Sequence, residues 1–540
     1  MKKFILASVS MAALAISAPA YAQTNTSTID QTGLSHDALV TQTGSLNDSE
    51  IDQTNQFNSA EVVQSGSGAV SNVTQSGDGT DAEDKNRVLV EQTGVGAESD
   101  VFQSGSDRNE AEVVQDGDSY SYVSQNGTSQ EAEARQTGDG NNSFIYQNGN
   151  SNQVGNALNT SSAGAVQIGD RNYSAIDQDP ASFATANVLQ AGDDNISDVQ
   201  QQVTGGAGAN RSEARVIQTG TANDSDVNQV SGVSPARLDA LITQNGTANL
   251  SELNQSGQDN EADVFQTGTG NDSTVTQQGN LATATISQTG LGNISNATQG
   301  SPNRLTDSQT LAVTQDGDDN ESTATQFGSL GTAVVNQTGT GNFSSLSQGG
   351  LDNDAANIDQ IGNNNESFVV QSANFGLADI DQVGDNLTSS VTQSGSSNSA
   401  VASVSQEGSF NNSDILQTAG NAAAGGPGRV QTATVIQANS GNDSDIFQTN
   451  TQGDPAVSEN DALVSQTGFD NDSILSQDGH LNSAEVYQTG TGNLSELAQV
   501  GDSNVASVTQ GGLSDQSFVN QTGTGNSATV VQNGGAPSAN

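Results

Sequence analysis

The chain has no cysteine and no tryptophan, and it carries only 12 lysines and arginines against 62 acidic residues. Without cysteine there can be no disulfide to brace the fold, even in a compartment that would permit one. A formal charge of −50 repels phosphate backbones and anionic bilayers, so a nucleic-acid partner is not expected. Aromatic residues make up 4 % of the chain and hydrophobic residues of all kinds 31 %, too few for a thick oily core. Low hydrophobicity combined with high net charge usually means disorder. Any ordered fold must therefore announce itself by a pattern that composition alone does not require.

One apolar run exists, at residues 4–16, preceded by Lys2 and Lys3 and followed by Ala20, Tyr21 and Ala22. It is too short to span a bilayer, and its flanks match an export signal with small residues at the cleavage site. The reading is a signal peptide at 1–22, a mature chain from Gln23, a repeat domain at 23–535 and a short tail at 536–540. No later segment is apolar enough to cross a membrane, so membrane insertion is not expected. Export from the cytoplasm is.

Glutamine supplies the pattern. Gln466, Gln477, Gln488, Gln499, Gln510, Gln521 and Gln532 recur at every eleventh position, and aligning the chain on such glutamines gives 42 arms. Two residues before the Gln stands Val, Ile or Leu in 38 of the 42 arms, as at Leu475, Val486, Leu497, Val508, Val519 and Val530. The exceptions are Ala134, Ala165, Ala297 and Ala324. Four residues before it stands a small residue, and six before it very often Asn, as at Asn471, Asn482, Asn493, Asn504 and Asn526. Period 2 puts these four on one face of a strand. The Gly that usually follows the Gln suits a tight turn.

The small residue alternates: Ser473, Ala484, Ser495, Ala506, Ser517, Ala528. All 21 odd arms have Ser, and 19 of the 21 even arms have Ala, Val88 and Leu311 being the substitutes. The repeat is thus a pair of arms. The sequence predicts an all-β, two-sheet parallel β-solenoid of about 21 rungs, each rung a pair of 11-residue strand–turn arms. A disordered Gln/Asn-rich tract is constrained in composition but not in phase. Eleven arms exceed the standard length, and each is an Ala arm. Loops such as that around Gly420 to Gly428 therefore gather on the edge leading from Ser arms to Ala arms. The opposite edge is a row of uniform turns.

The spacing Gln521, Gly523, Asn526, Ala528, Gln532 resembles the curlin repeat, as does Gln477, Gly479, Asn482, Ala484, Gln488. Family resemblance implies a curli-like functional amyloid fibre subunit of a Gram-negative biofilm matrix, involved in cell adhesion and aggregation. It implies end-to-end self-association, together with curli-type export and nucleation proteins as partners. The chain departs from the family in having far more repeats, a shorter Ser arm, and a first arm that already includes Asn25 and Ser27. The alternative on the same fold is a monomeric β-solenoid surface adhesin displaying the variable loops.

Catalytic chemistry finds little foothold. His36 occupies an Asn slot of the second arm and His480 falls in a turn before Asn482, far apart in the stack. Each reads as a solvated or stacked polar residue, because catalysis needs convergent groups. No enzymatic activity and no cofactor are expected. Asp48, Glu50 and Asp52 project outward along one strand, where acidic rows could bind calcium loosely. A solvated acidic face that discourages lateral association is the simpler reading.

Overall fold

The computed structural model describes residues 24–78, 85–105, 108–150, 153–154, 164–182, 184–203, 212–231, 237–300, 308–350, 353–372, 374–395, 399–418, 430–449 and 459–534. The expected signal peptide at 1–22, the tail at 536–540 and the loop at 420–428 lie outside the described residues.

The alternation of small residues sorts the strands into two sheets. Every Ser-type strand pairs in parallel with the Ser-type strands before and after it, forming a sheet of 21 strands. In one stretch Leu250–Gln258, Asp272–Asn280 and Ile294–Gln299 stack with Ser251, Ser273 and Ser295 in register, as are Gln255, Gln277 and Gln299. The Ala-type strands form the facing sheet, where Asn260–Thr269 and Thr283–Leu291 align Ala262 with Ala284 and Gln266 with Gln288. The expected two-sheet parallel β-solenoid is the fold. At roughly 4.8 Å per strand the rod is about 100 Å long.

Register survives the insertions. Gln147 pairs with Gln178 and Gln417 with Gln448, although a lengthened arm intervenes in each case. A one-residue slip would turn the aliphatic residues out to solvent, and that penalty holds the phase. Along Asp472–His480 and Ser483–Thr491 burial alternates through the strand up to each Gln. Leu475, Val486 and Val508 are completely buried and Leu497 almost so, while Val519 and Val530 in the last rung are partly covered. The Ala and Ser positions four residues before each Gln let the sheets approach, since nothing longer than a methyl or hydroxymethyl group fills most of these slots.

The corners depart from the expectation that each strand ends at its Gln. Ser483–Thr491 continues beyond Gln488, and Thr489, Gly490 and Thr491 still pair with Thr467, Gly468 and Phe469. The backbone ladder thus runs on into the corner, and glycine makes this possible. A Cβ on Gly246 would lie 1.9 Å from the carbonyl oxygen of Gly268, and one on Gly268 would lie 2.0 Å from that of Gly290. Both glycines also have φ beyond +120°. The same continuation places His480 at the end of a strand, paired with Asp502, and only 8 % exposed. The turn position expected for it is corrected accordingly, and of the two characters expected, solvated or stacked, the solvated one does not hold. His36 does stack in its column, its Nδ1 accepting from the Asn58 amide at 3.4 Å.

At one rung the two edges differ in how far the ladder reaches. Gly339 lies inside a strand, paired with Gly317 and Gly362, on the edge leading to Ser344. Gly328 lies between Glu321–Gln326 and Thr332–Thr340, outside both strands. A six-residue Gly/Ser insert after Gly328 should leave the thermal midpoint nearly unchanged, because doubling a loop costs only about 0.6 kcal/mol. The same insert after Gly339 should lower the midpoint and reduce the far-UV strand signal. Equal losses for the two variants would show that the edges are equivalent.

Candidate assembly interface: amide ladders and terminal rungs

A glutamine buried in a thin interior must find partners for two N–H groups and a carbonyl oxygen. The stack supplies them. Gln466 Nε2 donates to Gln488 Oε1 at 2.8 Å, and Gln488 Nε2 donates to Gln510 Oε1 at 2.9 Å. Gln510 in turn donates to Gln532 at 2.9 Å. The second N–H crosses the interior: Gln488 Nε2 reaches the Asp472 carbonyl of the facing sheet at 2.8 Å. The Ser sheet repeats the scheme through Gln477, Gln499 and Gln521, at 2.9 and 2.8 Å. Gln499 Nε2 also reaches the Ser483 carbonyl at 3.0 Å. Each Gln therefore ties one rung to the next and one sheet to the other.

The asparagines form a second set of columns with the opposite polarity. Asn493 donates both its main-chain N–H and its Nδ2 back to Asn471 Oδ1, at 3.2 and 3.0 Å. Asn504 does the same to Asn482, and Asn526 to Asn504. A contiguous Asn column in the Ser sheet runs from Asn141 to Asn365 and stops at Leu387. In the Ala sheet other residues hold the slot through most of the middle of the rod, among them Leu238, Ala282, Gly331 and Gly376. Those slots follow the Ser-to-Ala edge, the one that accepts insertions.

The serines contribute less. Ser367 Oγ donates to Gln382 Oε1 at 2.9 Å, and Ser225 accepts from Gln218 at 3.2 Å. The hydroxyls of Ser273, Ser473, Ser495 and Ser517 are buried without a partner. Their role in the fold is their size.

Outside, the acidic residues form columns too. Asp198, Asp226 and Glu252 stand in register on successive strands. Burial, then the neighbouring carboxylates, raises the pKa of Asp198 and of Asp226. Asp445 is pushed to about 6 by burial and then by Asp443, Asp414 and Asp472. Some cations pair with acids, as Arg171 does with Asp194 at 2.6 Å. Among the described residues no three His, Asp or Glu side chains come together closely enough to hold a metal ion.

The terminal rungs leave each ladder half used. Among the described residues no amide donates to Oε1 of Gln31 or Gln42, which begin the two Gln columns. At the other end Gln521 and Gln532 donate only to main-chain carbonyls, of Val505 at 3.0 Å and Gln516 at 2.8 Å. One end thus offers acceptors and the other donors. Asp515 closes the Ser-sheet Asn column with a carboxylate that takes the Gly512 and Gly534 amides.

Parts of this repeating pattern match a known repeat family. The curlin associated repeat matches at residues 23–54, 257–290 and 482–512, near the start, middle and end of the chain. Three segments of the chain thus carry a match to the curlin associated repeat. No curated protein matches the chain significantly.

Two measurements probe the ladders and the outer face. Gln288→Leu strands the Oε1 of Gln315 and removes one acceptor of Gln266 Nε2, each now 2.9 Å from its partner on Gln288, while Gln266 Nε2 keeps the Leu250 and Asn271 carbonyls. One unsatisfied buried oxygen should cost about 1–3 kcal/mol. Because neighbouring rungs share this loss, backbone hydrogen exchange should accelerate most between residues 266 and 315. Uniform exchange along the rod would contradict it.

Asp445 has a folded pKa above its unfolded value, so the folded chain binds more protons between pH 4 and 6. Its contribution is most favourable below that window and is lost as pH rises through it. The groups facing it are Asp414, Asp443, Asp472 and Ile474, none of them cationic. Lowering pH from 7 to 5 should raise the thermal midpoint, and Asp445→Asn should shrink the rise. An unchanged pH dependence in the variant would contradict the assignment.

Proposed function

We propose that the chain is the secreted subunit of a curli-like extracellular fibre of the biofilm matrix, exported through a signal peptide at 1–22. The observation that carries this reading is the complementarity of the terminal rungs. A second copy stacked head to tail would set Gln521 and Gln532 Nε2 of one molecule against Gln31 and Gln42 Oε1 of the next. Both Gln columns would then continue without a break. Stacking head to head would bring acceptor against acceptor. Strand edges Thr26–Leu34 and Gln516–Thr522, each paired on one side among the described residues, would join in the same step.

Charge sets the rate. The acidic columns repel an incoming copy over a Debye length of about 10 Å at 0.1 M salt. Salt, calcium or mild acid should speed assembly by weakening that repulsion. Adhesion and aggregation of cells follow from a polymer anchored at the surface, and export and nucleation proteins of the curli type would be its partners.

Purified chain lacking residues 1–22 should form unbranched fibres with an axial reflection at about 4.7–4.8 Å. Val530→Pro in the last strand should slow elongation while leaving the soluble rod folded, because the lesion is confined to one terminal rung. A rod that stays monomeric for days in high salt at pH 5 would overturn the fibre reading in favour of a monomeric adhesin.

A further inference from the structure

The outward face of the Ser sheet is mostly Ser, Thr, Asp and Glu, but one stretch is rich in aromatic residues. Four of the chain's six tyrosines lie there, on three neighbouring strands, with two phenylalanines between and beside them. Their rings form two short columns. In one, Phe102 lies 5.6 Å from Tyr122, and Tyr122 stacks on Tyr146 at 6.4 Å with ring planes 11° apart. In the other, Phe144 separates Tyr120 from Tyr173, at 5.6 and 5.5 Å. Among the described residues the first column holds the one direct contact between tyrosine rings.

We infer that Tyr122 and Tyr146 are an oxidative cross-linking site, at which a peroxidase-class one-electron oxidant fed with hydrogen peroxide joins them as dityrosine. Each phenol gives up one electron and its phenolic proton. The two phenoxyl radicals form a carbon–carbon bond between ring carbons ortho to the oxygens. The hydrogens on those carbons then move to oxygen and restore both phenols. Two electrons and two protons leave in all, and they reduce one hydrogen peroxide to two waters.

The site stands on three observations. Tyr146 is 46 % exposed, so the oxidant can reach it and its ring has room to close on Tyr122. The usual competitors for oxidation are missing: the chain has no Cys or Trp, and its two Met are at positions 1 and 11. The other tyrosines are wrongly placed. Tyr120 and Tyr173 face Phe144, and Tyr487 stands on the opposite sheet in register with Ser465 and Thr509. The bond would staple two successive rungs of a rod that has no disulfide.

The full chain would be treated with a haem peroxidase and hydrogen peroxide, digested with trypsin and analysed by mass spectrometry. The expected product is peptide 109–135 joined to peptide 136–171 with two hydrogen atoms lost, accompanied by dityrosine fluorescence. Tyr122→Phe and Tyr146→Phe should each abolish it, and Tyr120→Phe should leave it intact. Phenylalanine already occupies this array at positions 102 and 144, so the variants should keep the rod, and circular dichroism would check that they do. A linked mass that survives Tyr122→Phe would overturn the assignment. So would links found only between molecules in a mixture of 14N and 15N chains, or a cross-link made chiefly through Tyr487.

Discussion

The structure depends on the Gln side-chain amide finding three partners in an interior too thin to hold a second polar layer. One N–H goes along the axis, the other crosses to the facing sheet, and the oxygen receives the rung before. Gln244 is typical, with Gln266 Oε1 at 2.9 Å and the Asp224 carbonyl at 2.8 Å. Alone, such a residue would carry a desolvation cost of a few kcal/mol. Stacked, it is satisfied, and the satisfaction depends on having neighbours. The chain therefore holds together as a column, and lengthening the column satisfies the amides at its ends.

The rest of the architecture accommodates that column. Small residues four positions before each Gln bring the sheets near enough for the cross-sheet bond. The aliphatic residue between them, such as Val264 or Ile286, is fully buried and provides the hydrophobic term. Glycines at the corners remove side chains that would strike the next rung. On the outside, carboxylates stacked in register oppose lateral contact and leave the two ends as the favourable route for association. The same residues that stabilise one molecule thus direct how copies can meet.

Much of this was legible from phase alone. The alternation of Ser473, Ala484, Ser495 and Ala506 assigned strands to two sheets, and the aliphatic period identified the inward face. Insertions falling only in Ala arms pointed to inequivalent edges. What remained hidden involves choices that spacing does not encode. The corner glycines read as turns, but close approach between rungs extends the ladder through them and buries His480. The direction of the amide bonds, forward for Gln and backward for Asn, comes from rotamers that no sequence period reports. Leu281 and Phe375 adopt positive φ at corners, a region that L residues seldom enter. At Leu281 hydrogen bonding to the adjacent rung fixes the backbone, its N–H donating to the Gln258 carbonyl at 2.9 Å. The aromatic columns likewise depend on diagonal contacts between strands that are neighbours in the sheet but distant along the chain.

The central claim is that side-chain amides, and not the backbone alone, bind rung to rung. Hydrogen exchange of the Gln Nε2 groups, followed by NMR on the 15N-labelled chain, tests it directly. The account predicts that the amides of residues such as Gln244, Gln266 and Gln288 exchange as slowly as the backbone amides of their own strands, while exposed Gln amides exchange freely. Uniformly fast exchange of the buried Gln side chains beside a protected backbone would contradict it.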